Sequence, residues 1–326
     1  SLALYSWNNP GTDGSSVAVG YQSLYNATTA NHNTAIGFQA GYANTTGYSN
    51  TAVGRGALYG YTGTGTGAHN TAMGDLSLFF NDGSYNTAIG DQALNSNTTG
   101  SYSTAVGYQA LNGYTGTDIN DAHGAKALLN TTTGGRNTAV GFQAALSNTT
   151  GSFNTVVGRD ALYSNTTASY NTALGYQSSY SNTTGAYNTA VGYAVLWAST
   201  TASNNVGVGT EALTRNTSGQ YNTAIGTYAL NYNTTANYNT AIGYQAGYSN
   251  TTGTYNLFAG HHAGYNNTTG SLNVFLGSYA GFSNTTDQGS TLVGFAAGYT
   301  ANAITTSSDN TCIGAYAGYN ILANNN

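Results

Sequence analysis

Asn239-Thr-Ala-Ile-Gly243-Tyr-Gln-Ala-Gly-Tyr-Ser-Asn250-Thr-Thr-Gly-Thr-Tyr255 is the clearest copy of a unit that recurs along the chain. Its fifth residue closes the motif Asn-Thr-Ala-[Ile/Val]-Gly. That glycine returns as Gly20, Gly37, Gly54, Gly74, Gly90, Gly107, Gly124, Gly141, Gly158, Gly175, Gly192, Gly209, Gly226, Gly243, Gly260, Gly277, Gly294 and Gly314. Successive members lie 17 residues apart or one fewer, except Gly54 to Gly74 and Gly294 to Gly314, which are 20 apart. A repeat this short cannot bury a core alone and must stack on its neighbours. The spacing predicts an all-β chain, a parallel β-solenoid or β-roll of about eighteen 17-residue coils over residues 16–326. Residues 1–15 fall outside the array. At the strand spacing of a sheet such a stack is a rod of ~85 Å.

Composition removes several function classes. Charged residues are 5% of the 326, where about 25% is usual. The chain carries 29 Tyr, and its strict period argues for order over a disordered polar chain. Five cations (Arg55, Lys126, Arg136, Arg159, Arg215) do not cluster, so no basic stripe exists to neutralise phosphates, and no nucleic-acid partner is expected. No apolar run approaches the ~20 residues of a membrane span. The first residues, Ser1 to Trp7, lack the basic flank of a signal peptide. The lone Cys312 excludes an intramolecular disulfide and occupies a column of small residues, as a buried thiol would.

Numbering the repeat from its Asn, positions 1 to 4 favour a strand. Positions 2 and 4 share one face and position 3 takes the other. Position 4 is aliphatic (Ile36, Val53, Ile89, Val140, Ile242) and position 3 is mostly Ala (Ala35, Ala52, Ala88, Ala224). Ala also dominates position 8, so one side is squeezed between close surfaces. The reading is a thin roll of two short strands and two turns per coil, apolar on both strand faces, with the interior face undecided. From Asn256 position 3 enlarges to Phe258, Phe275 and Leu292, which predicts a thicker roll. The position 5 glycine does not vary, which points to a backbone angle with φ > 0 rather than to size alone. The two 20-residue repeats place three extra polar residues around Gly60–Gly67 and Ala301–Ser307 at a turn facing solvent. Asn, Thr and Tyr columns should form ladders, with Asn amides bonding up the stack.

Few residues suggest chemistry. Only Asp121 and His123 share a face as a titratable pair, and a degenerate repeat explains them better than a catalytic dyad. Adjacent His261 and His262 would point to opposite faces and make a poor metal pair. No calcium nonapeptide, P-loop or dinucleotide fingerprint occurs. No enzyme, metal or cofactor is expected. The turns at Asn44, Asn97, Asn148, Asn165, Asn182, Asn233, Asn250, Asn267 and Asn284 are N-glycosylation sequons. Turn chemistry alone explains that pattern as well. Thr at position 2 resembles an ice-binding column only weakly, because each coil offers one such Thr beside Ile or Val. Aromatics at position 17 (Tyr85, Tyr102, Phe153, Tyr221, Tyr238) and position 6 (Tyr21, Phe38, Tyr108, Phe142) form partial ladders suited to carbohydrate or subunit contact.

The Asn-Thr-Ala-Ile-Gly and Asn-Thr-Ala-Val-Gly motifs resemble the Ser-Val-Ala-Ile-Gly signature of YadA-like head repeats in trimeric autotransporter adhesins. They are also similar to phage tail-fibre repeats, where the string running from Asn239 to Gly253 is common. The resemblance covers residues 16–326 and implies a left-handed roll, a homotrimer and an adhesive surface fibre. Two departures stand out: the coil carries an extra Asn-Thr-Thr-Gly turn, and Thr replaces the adhesin Val. The expected role is a structural subunit of an extracellular fibre at a cell or virion surface, touching itself and surface glycans or a host receptor. A phage receptor-binding shaft is the alternative, and an ice-binding solenoid a weaker one. Leu2, Leu4, Tyr5 and Trp7 give residues 1–15 enough apolar surface to cap the array or dock on the last coil of a neighbour, joining subunits end to end.

Overall fold

The structure is a computed structural model that describes residues 15–60, 65–299 and 309–319. It divides into two compact units, residues 1–167 and 168–326. In the first unit the strands are β1 (Val17–Val19), β2 (Thr34–Ile36), β3 (Thr51–Val53), β4 (Thr71–Met73), β5 (Thr87–Ile89), β6 (Thr104–Val106), β7 (Asn120–His123), β8 (Asn137–Val140) and β9 (Thr155–Val157). In the second they are β10 (Thr172–Leu174), β11 (Thr189–Val191), β12 (Val206–Val208), β13 (Thr223–Ile225), β14 (Thr240–Ile242), β15 (Leu257–Ala259), β16 (Val274–Leu276), β17 (Thr291–Val293) and β18 (Thr311–Ile313). The chain is all-β, eighteen parallel strands stacked as a β-solenoid, with no helix among the described residues. Pairing is in register, Ala on Ala, as in Ala35↔Ala52 and Ala224↔Ala241. The strand motif recurs in every coil whatever the coil length, so a one-residue slip would turn the Ala column to the other face, and only the in-register pairing keeps each column on its own face.

Each coil holds one strand. The second strand expected from the sequence does not form, and the chain instead passes through successive turns to the next Asn. The reason is a set of left-handed residues at positions 7, 9 and 17, for example Gln92 (φ 56°), Leu94 (φ 50°) and Tyr102 (φ 63°). Bulky residues seldom adopt that conformation. Here the stack holds them, because turn backbone bonds between coils much as strand backbone does. Leu94 N–H donates to the Ala110 carbonyl at 2.9 Å, and Gln109 N–H to that of Asp91 at 2.9 Å.

The Ala face of the strand is the interior. Ala88, Ala105, Ala224 and Ala241 are fully buried, together with position 8 alanines such as Ala93, Ala110 and Ala246 and the position 9 leucines Leu94, Leu111 and Leu128. Positions 2 and 4 face out. Beyond Ala241 the interior is rebuilt by an exchange between two columns. Phe258, Phe275 and Leu292 enlarge position 3 while position 9 falls to Gly247, Gly264, Gly281 and Gly298. A β-carbon on Gly247 would meet the Phe258 ring at 2.5 Å, and one on Gly281 would meet the Phe275 ring at 2.5 Å. Each large residue thus occupies the space a Leu leaves. Cys312 ends this column, and burial pushes its thiol pKa up.

Two Asn columns line the interior. The position 1 Oδ1 accepts the backbone N–H of its successor, as in Asn50 to Asn33 at 2.9 Å and Asn239 to Asn222 at 3.0 Å. Its Nδ2 donates to the carbonyl of position 15, as from Asn239 to Gly253 at 2.8 Å. Buried amides are tolerated because they are paired in this way. At position 12 the amides bond up the stack as the sequence suggests: Asn250 Nδ2 donates to Asn233 Oδ1 at 3.1 Å, and Asn267 Nδ2 to Asn250 Oδ1 at 2.8 Å. The ladder breaks above Asn97, where Tyr114 takes position 12, is fully buried and donates to the Asp118 carbonyl. Burial, with Asp118 nearby, pushes the Tyr114 hydroxyl up to about 12.

A second break has a pH signature. Asp287 stands where most coils have Gly or Ala, and it is 1% exposed. It draws Asn284 Nδ2 to its Oδ2 at 2.8 Å, which leaves Asn267 Oδ1 buried without a partner. Loss of water raises its pKa from 3.8 to about 7. Between those values the unfolded chain binds fewer protons than the folded one, so stability falls as pH rises through the window and is level above it. Asp287→Gly should add about 2 kcal/mol at pH 8 and remove the slope. Urea unfolding at pH 4 and pH 8 measures both effects, and an unchanged slope would contradict the assignment.

Of the stretch Gly60–Gly67 in the first long repeat, residues 61–64 lie outside the described residues, as do Ala301–Ser307 in the second and all but the last residue of the docking segment 1–15.

Candidate binding surface

Positions 17, 2, 4 and 6 of successive coils form the outward face in each unit. Its edges are aromatic. At position 17, Tyr85 stacks on Tyr102 at 4.9 Å and 2°, and Tyr221 on Tyr238 at 5.0 Å and 1°. At position 6, Tyr21 stacks on Phe38 at 5.4 Å and Tyr176 on Tyr193 at 5.7 Å. At position 17 the spacing is close to the ~4.8 Å between strands, so in-register coils bring each ring onto the next; at position 6 it is wider. Between these rows lie Thr and a half-exposed aliphatic column, with Ile89 at 39% and Ile242 at 45%. The surface is largely apolar and aromatic-edged; in the first unit Arg55, Asp75, Asp91, Asp121, Arg136 and Arg159 interrupt it, while from Thr172 to Val293 these positions carry no Asp, Glu, Lys or Arg.

Sequence reading misses a third aromatic column, at position 10. Tyr25, Tyr42, Tyr59 and Phe79 stack there at 4.8–5.4 Å in the first unit. Tyr248, Tyr265, Phe282, Tyr299 and Tyr319 stack at 5.1–5.3 Å in the second. Tyr180 stacks on Trp197 at 5.9 Å in the second unit, Leu129 and Leu146 break the column in the first, and Asn95, Asn112, Thr214 and Asn231 interrupt it by bonding to backbone, as Asn112 does to the Gln92 carbonyl at 3.0 Å. The signal is present as the Tyr of Ala-Gly-Tyr, but it passes for ordinary turn sequence.

The eighteen glycines of the series adopt φ between 122° and 140°. An L side chain rarely enters that region. The same β-carbon would also strike the next coil: on Gly243 it would lie 2.6 Å from the Gly260 carbonyl oxygen. Two independent restrictions therefore fall on one residue.

The sequon asparagines do not face solvent. Asn44, Asn97, Asn148, Asn165, Asn182, Asn233, Asn250, Asn267 and Asn284 are 0–4% exposed. The Nδ2 atom that a glycan would occupy is spent inside, for example from Asn148 to the Gly151 carbonyl at 3.0 Å and from Asn165 to Asn148 Oδ1 at 2.8 Å. The folded coil has no room for a glycan column there. Turn chemistry and the interior ladder account for the motif.

His261 and His262 do not diverge as strand alternation suggests. Their ring centroids are 3.9 Å apart, because both follow Gly260 into the turn and His262 has φ 56°. His262 Nε2 meets Gln245 Oε1 at 2.6 Å, and burial with the neighbouring His261 lowers its pKa. Asp121 and His123 lie together on the outward face of β7. Among the described residues no group of three His, Cys, Asp or Glu side chains is placed to hold a metal ion, and no helix is long and apolar enough to cross a membrane.

No protein-family model matches the chain, and a search of curated proteins returned no match.

Proposed function

We propose that the chain is a structural, non-enzymatic subunit of an extracellular surface fibre, and that it adheres through the outward face of its coils. The observation that carries this reading is the exposure of ordered apolar columns. Tyr102, Tyr187 and Tyr255 are each more than half exposed, in line with neighbours of the same kind. A monomeric soluble surface seldom maintains such a patch unless something covers it. The covering partner is either a second copy of the chain, as in the trimer or end-to-end filament that the adhesin resemblance implies, or a glycan-bearing surface. The phage-fibre alternative uses the same face. The ice-binding reading is less well supported, because projecting rings flank many of the Thr, as Tyr102 and Tyr108 flank Thr104 and Tyr238 and Tyr244 flank Thr240.

The test is retention of the purified chain on glycan-bearing surfaces under flow. Serine at Tyr85, Tyr102, Tyr221 and Tyr238 should lower retention at least about tenfold. Ser49 already holds this backbone position at φ 55°, so the coils should remain folded. No retention of the parent chain, or thermal hysteresis in its place, would overturn the reading.

A further inference from the structure

Position 7 is usually long, most often Gln, and its side chains close the outward surface between the position 6 and position 10 aromatics. The two 20-residue coils break that rule. One has Gly56 at position 7 and the other Ala296. At each, the missing side chain opens a cavity of about 260 Å³. At Gly56 the lining is Phe38, Tyr59 and Phe79 with Gln39, Arg55 and Leu76. At Ala296 they are Tyr279, Phe295, Tyr299, Tyr316 and Tyr319. The two units thus build the same pit from the same columns, each time in a coil lengthened by three residues. The third small residue of this column, Ala194, is in a coil of ordinary length, where Thr214 Oγ1 donates to its carbonyl at 3.1 Å.

The chemistry of the walls selects the occupant. Flat rings favour the C–H face of a sugar, and the Tyr hydroxyls of both linings, with the Gln39 amide at the Gly56 pit, suit its hydroxyls. The volume is below the roughly 300 Å³ at which pockets for drug-sized ligands begin, a scale suited to one ring. Neither pit offers free charge. Arg55 is paired with Asp75 at 2.6 Å, and the Ala296 pit is lined by no carboxylate or cation. We propose that each pit seats one pyranose ring of an uncharged glycan, which rests on the adhesive reading above and gives it two defined sites per chain.

The variants that test this come from the array itself. Gln at position 7 has φ 53–56° in Gln245 and Gln92, and Ala296 has φ 52°, so Ala296→Gln fills the pit with the usual residue on the same backbone. Gly56→Gln does so at φ 61°, its β-carbon meeting only side-chain ends of Leu76 and Phe79 at 3.0–3.4 Å. The full chain is titrated with cellohexaose, maltohexaose and mannohexaose, followed by tyrosine fluorescence and saturation-transfer NMR, with circular dichroism as the folding check. At least one hexasaccharide should bind at two sites. Each single filling should remove one site, and the double filling should weaken binding at least about tenfold. Tyr299→Ser should weaken the Ala296 site alone. Binding unchanged in the double variant, or a preference for sulfated over neutral hexasaccharides, overturns the proposal. If the chain is retained on glycan-bearing surfaces yet no hexasaccharide binds, the pits fall and the adhesive reading stands. Loss of retention as well sinks both.

Discussion

Gly141→Val should destabilise the first unit by at least about 3 kcal/mol, among the larger effects of any single substitution. Gly141 has φ 138°, a region closed to valine. Its β-carbon would lie 2.5 Å from the Gly158 carbonyl oxygen of the next coil. Neither problem relaxes alone. Rotating φ turns the chain before position 6 and pulls the aromatic column out of line, while separating the coils breaks the ladder. Thermal and urea unfolding followed by circular dichroism measure the loss. Gly141→Ala should keep most of the cost, because both the angle and the contact act at the β-carbon that alanine shares; a loss below about 1 kcal/mol would show that only the valine methyls beyond it are excluded.

Phe258→Ala is expected to cost about 3–5 kcal/mol, the range for removing a fully buried aromatic ring. The cause is specific to this stretch. Phe258 fills space that a position 9 Leu occupies in most coils, since Gly247 and Gly264 flank its ring. The alanine variant would leave a cavity in the second unit, since the flanking Gly247 and Gly264 have no side chains to fill it. Adding Gly264→Leu should recover at least half of the loss, because Leu230 holds the same position at φ 48° beside Ala224 and Ala241. Gly264→Leu on the parent chain should instead be destabilising, as its side chain meets the Phe258 ring. A double-mutant cycle by urea unfolding reads the coupling. Additive effects would mean that the two columns do not share space.

The solenoid is legible because its signals are local and repeat. The glycine period sets the coil, Ala and aliphatic alternation sets a strand, and Asn at fixed offsets sets two ladders. The interior face is not legible, since both faces of Thr-Ala-Ile are apolar enough to be buried. Volume decides it: Leu94 and its column already fill the middle, so the strand can contribute only Ala88. The second strand is misjudged for a related reason. Sequence carries no warning that Gln92, Leu94 and Tyr102 sit in left-handed conformations, because that cost is met by bonds to other coils. The same gap explains His261 and His262, which alternation would separate only in a strand. Of the binding surface, the rings at positions 6 and 17 can be read directly. The pits cannot, because a pit is the absence of a side chain at Gly56 or Ala296 between neighbours that the chain order does not place side by side.

The interior ladders have a direction. The position 1 Oδ1 accepts from the coil that follows it, as Asn33 does from Asn50 and Asn222 from Asn239. The position 13 hydroxyls point the other way along the stack, Thr234 donating to the Thr251 carbonyl at 3.1 Å and Thr251 to that of Thr268 at 3.0 Å. A finished coil therefore offers its successor a ready set of acceptors and asks for a different set in return. Assembly by this rule is vectorial: each coil serves as the template for the next. Because ribosomes deliver the N-terminal coil first, the chain can be cast in the order in which it is made, one copy at a time, with no need to gather distant segments.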